Sequence, residues 1–344
     1  MRMPARTTRD HTALARRTFL RITGGAAASL CSAAAATAQT PSPPTSRAWP
    51  AHPVTMIVPY PPGGPADVLA RILAEAMRGA LGQPVVIENV GGAEGTIGVI
   101  RAARANADGY TIELGSMSTH ILNAAFNAYP FDILDSFAPI LPLVTAPQVL
   151  IVRKGVTAGG LRDLIAWLRG HPGAATAGFG AAISQLAAAL FQQATATQLT
   201  MVPYRTANVA VHDLVAGQID LVFTTPDRLA MVQSGASALA VTSAARLAAC
   251  PEVPTFAEEG YSELSLSPWF ALYAPAGTPG DIIARVGDAA AGVLADPLAR
   301  SHLVQLGMEI VPRAQQTPEA LVALQKADAR RWWPFIAATK TRGG

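Results

Sequence analysis

The stretch from Val54 to Leu73, VTMIVPYPPGGPADVLARIL, constrains the fold more than any other part of the chain. Val54, Thr55, Ile57 and Val58 read as a short buried strand. The run from Pro59 to Pro65 cannot sit inside a helix or a strand, so it is a turn. Pro65 suits the first position of a helix, and Asp67 falls in its first turn, where a carboxylate favours the positive end of the helix dipole. Val68, Leu69, Ile72 and Leu73 then recur at helical spacing. A strand, a glycine turn and a helix start point free backbone N–H groups at whatever lies above the strand, and an anion is the natural occupant. An ordinary βα loop with helix-start glycines fits this stretch equally well.

The segment before it has a different origin. Arg16-Arg17-Thr18-Phe19-Leu20-Arg21 is a twin-arginine pattern, followed by an Ala-rich apolar stretch and the small-x-small signal Ala36-Thr37-Ala38. Residues 1–38 are therefore expected to be an export leader, too short and Ala-rich in its apolar part to be a membrane anchor. Residues 39–49 read as a linker. Six arginines and one aspartate give the leader +5, so the whole-chain +3 becomes −2 once it is removed. The basic face that nucleic-acid binding requires is lost with it. Cys250 is then the only cysteine, and no internal disulfide can form.

Downstream the pattern repeats. A strand at Pro84 to Glu88 leads into the glycine-rich turn Gly91 to Gly98 and a helix to about Ala105. The strand Tyr110 to Leu114 leads into Ser116, Ser118 and Thr119, a hydroxyl-rich loop that opens another helix. Three strand–turn–helix units argue for an α/β layer with a mainly parallel sheet. A second set follows, with strands at Gln148 to Val152, Ala174 to Phe179, Thr200 to Tyr204, Ile219 to Phe223 and Leu239 to Thr242. One more strand, Leu266 to Ala274, precedes C-terminal helices over Asp281 to Leu294, Asp296 to Leu306 and Pro318 to Arg331.

Eight segments in register resemble the substrate-binding receptors of tripartite tricarboxylate transporters, the Bug family named after the Bordetella uptake genes. They are VPYPPGGPADVLAR (58 to 71), LGQPVVIEN (81 to 89), the Gly91 to Gly98 turn and ADGYTIELGS (107 to 116). After these come FAPILPLVTAPQVLIV (137 to 152), VPYRTANVAVHDLVAGQIDLVF (202 to 223), VPTFAEEGY (253 to 261) and WFALYAPAGTP (269 to 279). The resemblance implies a periplasmic binding protein-like α/β fold: two α/β lobes, two crossing strands, and a carboxylate-type solute in the cleft between the lobes. On this pattern residues 50–147 plus 268–335 make lobe 1, 148–267 lobe 2 and 336–344 a tail, with Gln148 to Val152 and Leu266 to Ala274 as the crossings. It also implies delivery of the solute to the integral-membrane permease subunits of a tripartite tricarboxylate transporter, by a protein taken to be a monomer.

Such a site is expected to need no arginine. A hydrogen bond to a carboxylate contributes about 1.5–3 kcal/mol net, so three or four supply the roughly 8 kcal/mol of a micromolar ligand. The amides around Pro62, Gly63, Gly64 and Ala66 are the candidate donors, with those of the Gly91 to Gly98 turn. Tyr60 sits where the family has an aromatic and is expected to line the cleft, with core packing as the alternative. Asp67 belongs to the same group, although a helix-start role suits a carboxylate better than contact with an anion. Ser116, Ser118 and Thr119 are split between capping and solute contact. From lobe 2 the resemblance contributes Gly180, Ser184, Tyr204, Thr206 and Thr224. Trp269 is read as hinge packing and His120 as a packed core histidine. Two departures bear on the solute: Glu94 stands where the family usually has glycine, and Thr224 where several members carry an acid that holds a ligand ammonium. A plain or aromatic carboxylate is therefore expected over an amino acid.

No catalytic constellation accompanies these residues. There is no G-x-S-x-G elbow, Walker motif or dinucleotide fingerprint. His52, His120, His171, His212 and His302 lack zinc-ligand spacing. No metal and no cofactor are expected, and the chain is not expected to be an enzyme. A periplasmic sensor that shows its closed form to a signalling partner, and an exported enzyme of another type, are the alternatives.

Overall fold

Val54–Val58 forms β1, with Val54, Met56 and Val58 turned to one face of the sheet and Ile57 to the other. Both faces are buried, as in parallel sheets covered by helices on each side. The computed structural model describes residues 49–126, 129–156, 159–232 and 235–342. The expected leader and most of the linker lie outside the described residues.

The turn after β1 feeds α1 (Pro65–Leu81), which buries Leu69, Leu73 and Met77 at four-residue intervals. It ends on Gly82, whose left-handed backbone lets its N–H donate to Arg78 O at 2.9 Å. There follow β2 (Val85–Asn89), α2 (Thr96–Ala103), β3 (Thr111–Ser116), α3 (Asn123–Phe126) and β4 (Phe137–Thr145). The second half has β5 (Val149–Arg153), α4 (Leu161–Gly170), β6 (Thr176–Phe179), α5 (Ala182–Thr195), β7 (Thr200–Pro203), α6 (Ala207–Val215), β8 (Leu221–Thr224), α7 (Leu229–Val232) and β9 (Ala236–Val241). The chain closes with β10 (Trp269–Pro275), α8 (Gly280–Ala295), α9 (Pro297–Gln305), β11 (Glu309–Ile310) and α10 (Pro318–Arg342).

The strands form two sheets. The first has the order β11-β4-β10-β3-β1-β2 and the second β7-β6-β8-β5-β9. β1 runs parallel to β2 and β3, as the repeating strand–helix units require, but β10, β4 and β11 add antiparallel. β4 was not expected as a strand because it carries Pro139 and Pro142. The pairing tolerates both: β4 bonds β10 with two register shifts on one side, and β11 reaches only Thr145 and Val144 on the other.

The chain passes between the sheets twice, between β4 and β5 and between β9 and β10. The two passages are bonded to each other. Ala146 N–H donates to Pro268 O (2.6 Å), Gln148 N–H to Thr242 Oγ1 (2.9 Å), and Thr242 Oγ1 to Leu266 O (2.7 Å). One core cluster spans both lobes on this side, joining Ile57, Met117 and Ile121 to Leu150, Leu186 and Phe191. α10 seals it. Expected to stop at Arg331, the helix continues past Pro334, burying Trp332 and Ile336 and sending Trp333 Nε1–H to Ile121 O at 2.9 Å.

Candidate functional site

The turn between β1 and α1 is held by its own carboxylate. Asp67 accepts from Gly63 N–H (2.9 Å), from Asn89 Nδ2 (3.0 Å) and from Arg71 Nε (2.9 Å). Burial pushes this carboxyl up, but the bonds from Arg71, Gly63 and Asn89 outweigh it and hold it below the ordinary aspartate value. Gly63 has φ of +81°, a conformation an L side chain adopts only with strain. Gly64 caps α1 with no side chain supplying an acceptor, and Pro65 at N1 has no N–H. The first-turn amides are thus left without an intrahelical partner.

Beside the turn, β3 ends on Ser116. Its hydroxyl lies 2.6 Å from Tyr60 OH, and its Oγ accepts from Thr119 N–H at 3.2 Å, an end-of-strand cap. Burial pushes the Tyr60 hydroxyl up to about 12, so it stays protonated at any physiological pH.

Across from these, the start of α5 brings Gly180, Ala181 and Ser184, and Gly180 packs against the backbone of Thr206 and Ala207. Thr206 Oγ1 accepts from Val209 N–H at 3.5 Å and so caps α6. Thr224 ends β8 with its buried hydroxyl unpartnered. Arg228 follows one turn later, 8% exposed, ion-paired to Asp227 but with Nε unpartnered.

These groups enclose a cavity of about 220 Å³. Of the residues the sequence indicated, Tyr60, Pro62, Gly64, Ala66, Ser116 and Ser118 line it from one lobe. Gly180, Ser184, Thr206 and Thr224 line it from the other. Gly63, Asp67, Thr119 and Tyr204 do not reach the lining. Gly63 and Asp67 are occupied with each other, and Thr119 is wholly buried behind Ser116. Tyr204 turns away to donate to Asp213 Oδ2 at 2.8 Å. The Gly91 to Gly98 turn is also absent from the lining, and Glu94 with it.

The largest correction concerns charge. Arg205 and Arg228 both line the cavity, whereas the expectation was a site built from main-chain amides without arginine. No Asp or Glu is among the described lining residues. Burial pushes the Arg228 guanidinium below its ordinary value, but a guanidinium remains charged near neutrality. Trp269 combines two roles: it is buried beside the passage between sheets, donates to Asp328 Oδ2 at 2.7 Å, and also lines the cavity. Among the described residues no group of three or more His, Cys, Asp or Glu is placed to hold a metal, and no helix is long and apolar enough to cross a membrane.

Residues 69–340 match the model of the tripartite tricarboxylate transporter family receptor. Protein BugT of Bordetella pertussis is 39% identical over 254 residues, covering 72% of this chain and 78% of that protein. The solved structure of the periplasmic binding protein BugD superposes with a TM-score of 0.75 at 32% identity, over 84% of this chain and 98% of the other. MatC from Rhodopseudomonas palustris, solved with bound malate, superposes at 0.77 with 29% identity, over 84% of this chain and all of that one.

Proposed function

The chain belongs to the tripartite tricarboxylate transporter receptor family, and from that premise we propose that it is a periplasmic receptor for a small organic carboxylate. In this reading the solute sits between the lobes and is delivered to the membrane permease of a tripartite transporter. Residues 1–38 act as a twin-arginine leader, 50–147 plus 268–335 move as one lobe and 148–267 as the other.

The observation that carries the reading is the charge of the cavity wall. Two arginines, Arg228 already ion-paired to Asp227, and the start of a 17-residue helix face the same space, and no carboxylate is among the described lining residues. An anion there meets positive potential from both lobes, and from the helix dipole and amides in particular. The same wall disfavours an amino acid, because an α-ammonium would find no acid to pair with. The malate bound to MatC fits this chemistry. Closure of the lobes follows from the arrangement: a solute that contacts both walls binds the closed state better and shifts the population toward it.

The test is a thermal-shift screen of mono-, di- and tricarboxylates against amino acids. A ligand at 100 times its Kd stabilises the native state by about 2.7 kcal/mol, so a carboxylate should raise the melting temperature and an amino acid should not. No response to any carboxylate would defeat the reading.

A further inference from the structure

The apolar core of lobe 1 is left unfinished where it reaches the cavity. Along β10 successive side chains alternate between two core clusters: Trp269, Ala271 and Tyr273 enter one, and Phe270, Leu272 and Ala274 pack on the other. In the second row Leu272 and Ala274 are closed off from solvent, at 0% and 1% exposure. Phe270, at the end of that row, is only partly buried, and it lines the cavity. The pairing of β10 with β4 shifts register between Phe270 and Ala271, so the ladder is irregular at this residue.

Tyr60 is a second open edge of the same cluster. It too is partly buried against those residues and lines the cavity. Its ring meets that of Phe270 with centroids 6.3 Å apart and planes at 73°, an edge-to-face pair. Ser116 Oγ lies 2.6 Å from the Tyr60 hydroxyl, and Ser116 is the residue opposite Phe270 in the β3–β10 register. The polar end of Tyr60 is therefore engaged with the strand end, which leaves the carbon of its ring for the cavity. Pro61 and Pro62 continue the apolar surface along the turn. Across from them, Ala181 and Ile183 line the cavity from lobe 2 at the start of α5. The polar side chains Arg205 and Asn208 enter the lining from a different place, the start of α6.

A single partly exposed phenylalanine is ordinary. Here two aromatic rings are held at a steep angle on one cavity, with aliphatic residues facing them. A flat ring entering that corner removes apolar surface from water on both of its faces and can stack on one aromatic while meeting the edge of the other. A hydroxyl or a second carboxylate placed there gives up its water and gains no hydrogen bond.

We propose that Tyr60 and Phe270 form a specificity corner, and that the solute's carboxylate is carried on a flat apolar ring that lies in this corner and completes the lobe 1 core. The charged end of the solute rests on the carboxylate reading above; the ring subsite rests on the corner alone.

The experiment measures calorimetric affinities of the full chain for benzoate and malate. Benzoate should bind about tenfold tighter or more, because the hydroxyl and second carboxylate of malate would meet carbon. Phe270→Ala should lower the benzoate-to-malate affinity ratio about tenfold, and Phe270→Leu, which keeps apolar bulk without the flat ring, should recover only part of it. Malate binding as tightly as benzoate overturns the inference. So does an unchanged ratio in Phe270→Ala, because a general loss of structure weakens both acids alike. If Phe270→Ala fails to fold, the ratio in Phe270→Leu decides in the same way. Binding of neither acid to the wild type counts against the carboxylate reading, and saturation-transfer NMR with benzyl alcohol, an uncharged ring, then decides the corner. A benzyl alcohol signal that Phe270→Leu diminishes upholds the corner; no signal, or one indifferent to Phe270, overturns it.

Discussion

At the scale of single residues, the cavity is governed by a few side chains whose partners are incomplete. Arg228 is the clearest. Its ion pair with Asp227 satisfies part of the guanidinium, and its Nε has no partner. A hydrogen bond between charged groups contributes about 1.5–3 kcal/mol, so Arg228→Gln should weaken carboxylate binding by roughly ten- to a hundredfold in calorimetry. An unchanged affinity would place the solute elsewhere. Gly64 gives the complementary test. A Cβ at Gly64 would meet nothing in the protein closer than Pro61 O at 3.8 Å, and its backbone is not left-handed. Gly64→Val should therefore leave the melting temperature of the free protein within a few degrees while filling the space an anion would use, abolishing the solute-induced shift. Arg205 lies between Tyr204 and Thr206, a loop the sequence already assigns to the cleft, but its charge was not part of that reading; Arg228, an ordinary charged residue 23 positions further on, was not legible at all.

At the scale of elements, the turn from β1 into α1 depends on Asp67. Asp67→Ala leaves Gly63 N–H without its acceptor and Asn89 Nδ2 with only Tyr60 O, and should cost about 1–3 kcal/mol in urea unfolding. The pH dependence has a definite sign. Because the native carboxyl is held below its unfolded value, its contribution is complete above the unfolded value and fades as pH falls through the native one. The stability gap between wild type and Asp67→Ala should therefore narrow in acid; a gap independent of pH would mean the charge is irrelevant to the turn. This element was readable almost residue by residue, since proline, glycine and an N-terminal acid each act locally. β4 was not, because two prolines erase the signature of a strand, and only a long-range partner with register shifts makes the pairing possible.

At the scale of the whole molecule, the two passages between sheets and α10 hold the lobes together. Thr242 is the knot: its hydroxyl accepts from Gln148 N–H and donates to Leu266 O, and its N–H donates to Gln148 O at 2.8 Å. Thr242→Val keeps the shape but orphans a buried donor and a buried acceptor, and should cost about 2–4 kcal/mol of unfolding free energy. A cost below 1 kcal/mol would show that the Thr242 hydroxyl does not help to tie the passages together. Solute addition to the wild type should also contract the radius of gyration in X-ray scattering, as lobe closure requires. The sequence by itself determined the local units, the repeated strand–turn–helix order and the proline–glycine turn into the first helix, because backbone restrictions and hydrophobic period act over a few residues. Only the tertiary structure decided which side chains meet in the cavity, that two of them are arginines, and that Tyr60 and Phe270 meet edge to face on its wall. Those facts depend on strand order and on which face of the sheet is covered, and they are settled by contacts between residues far apart in the chain.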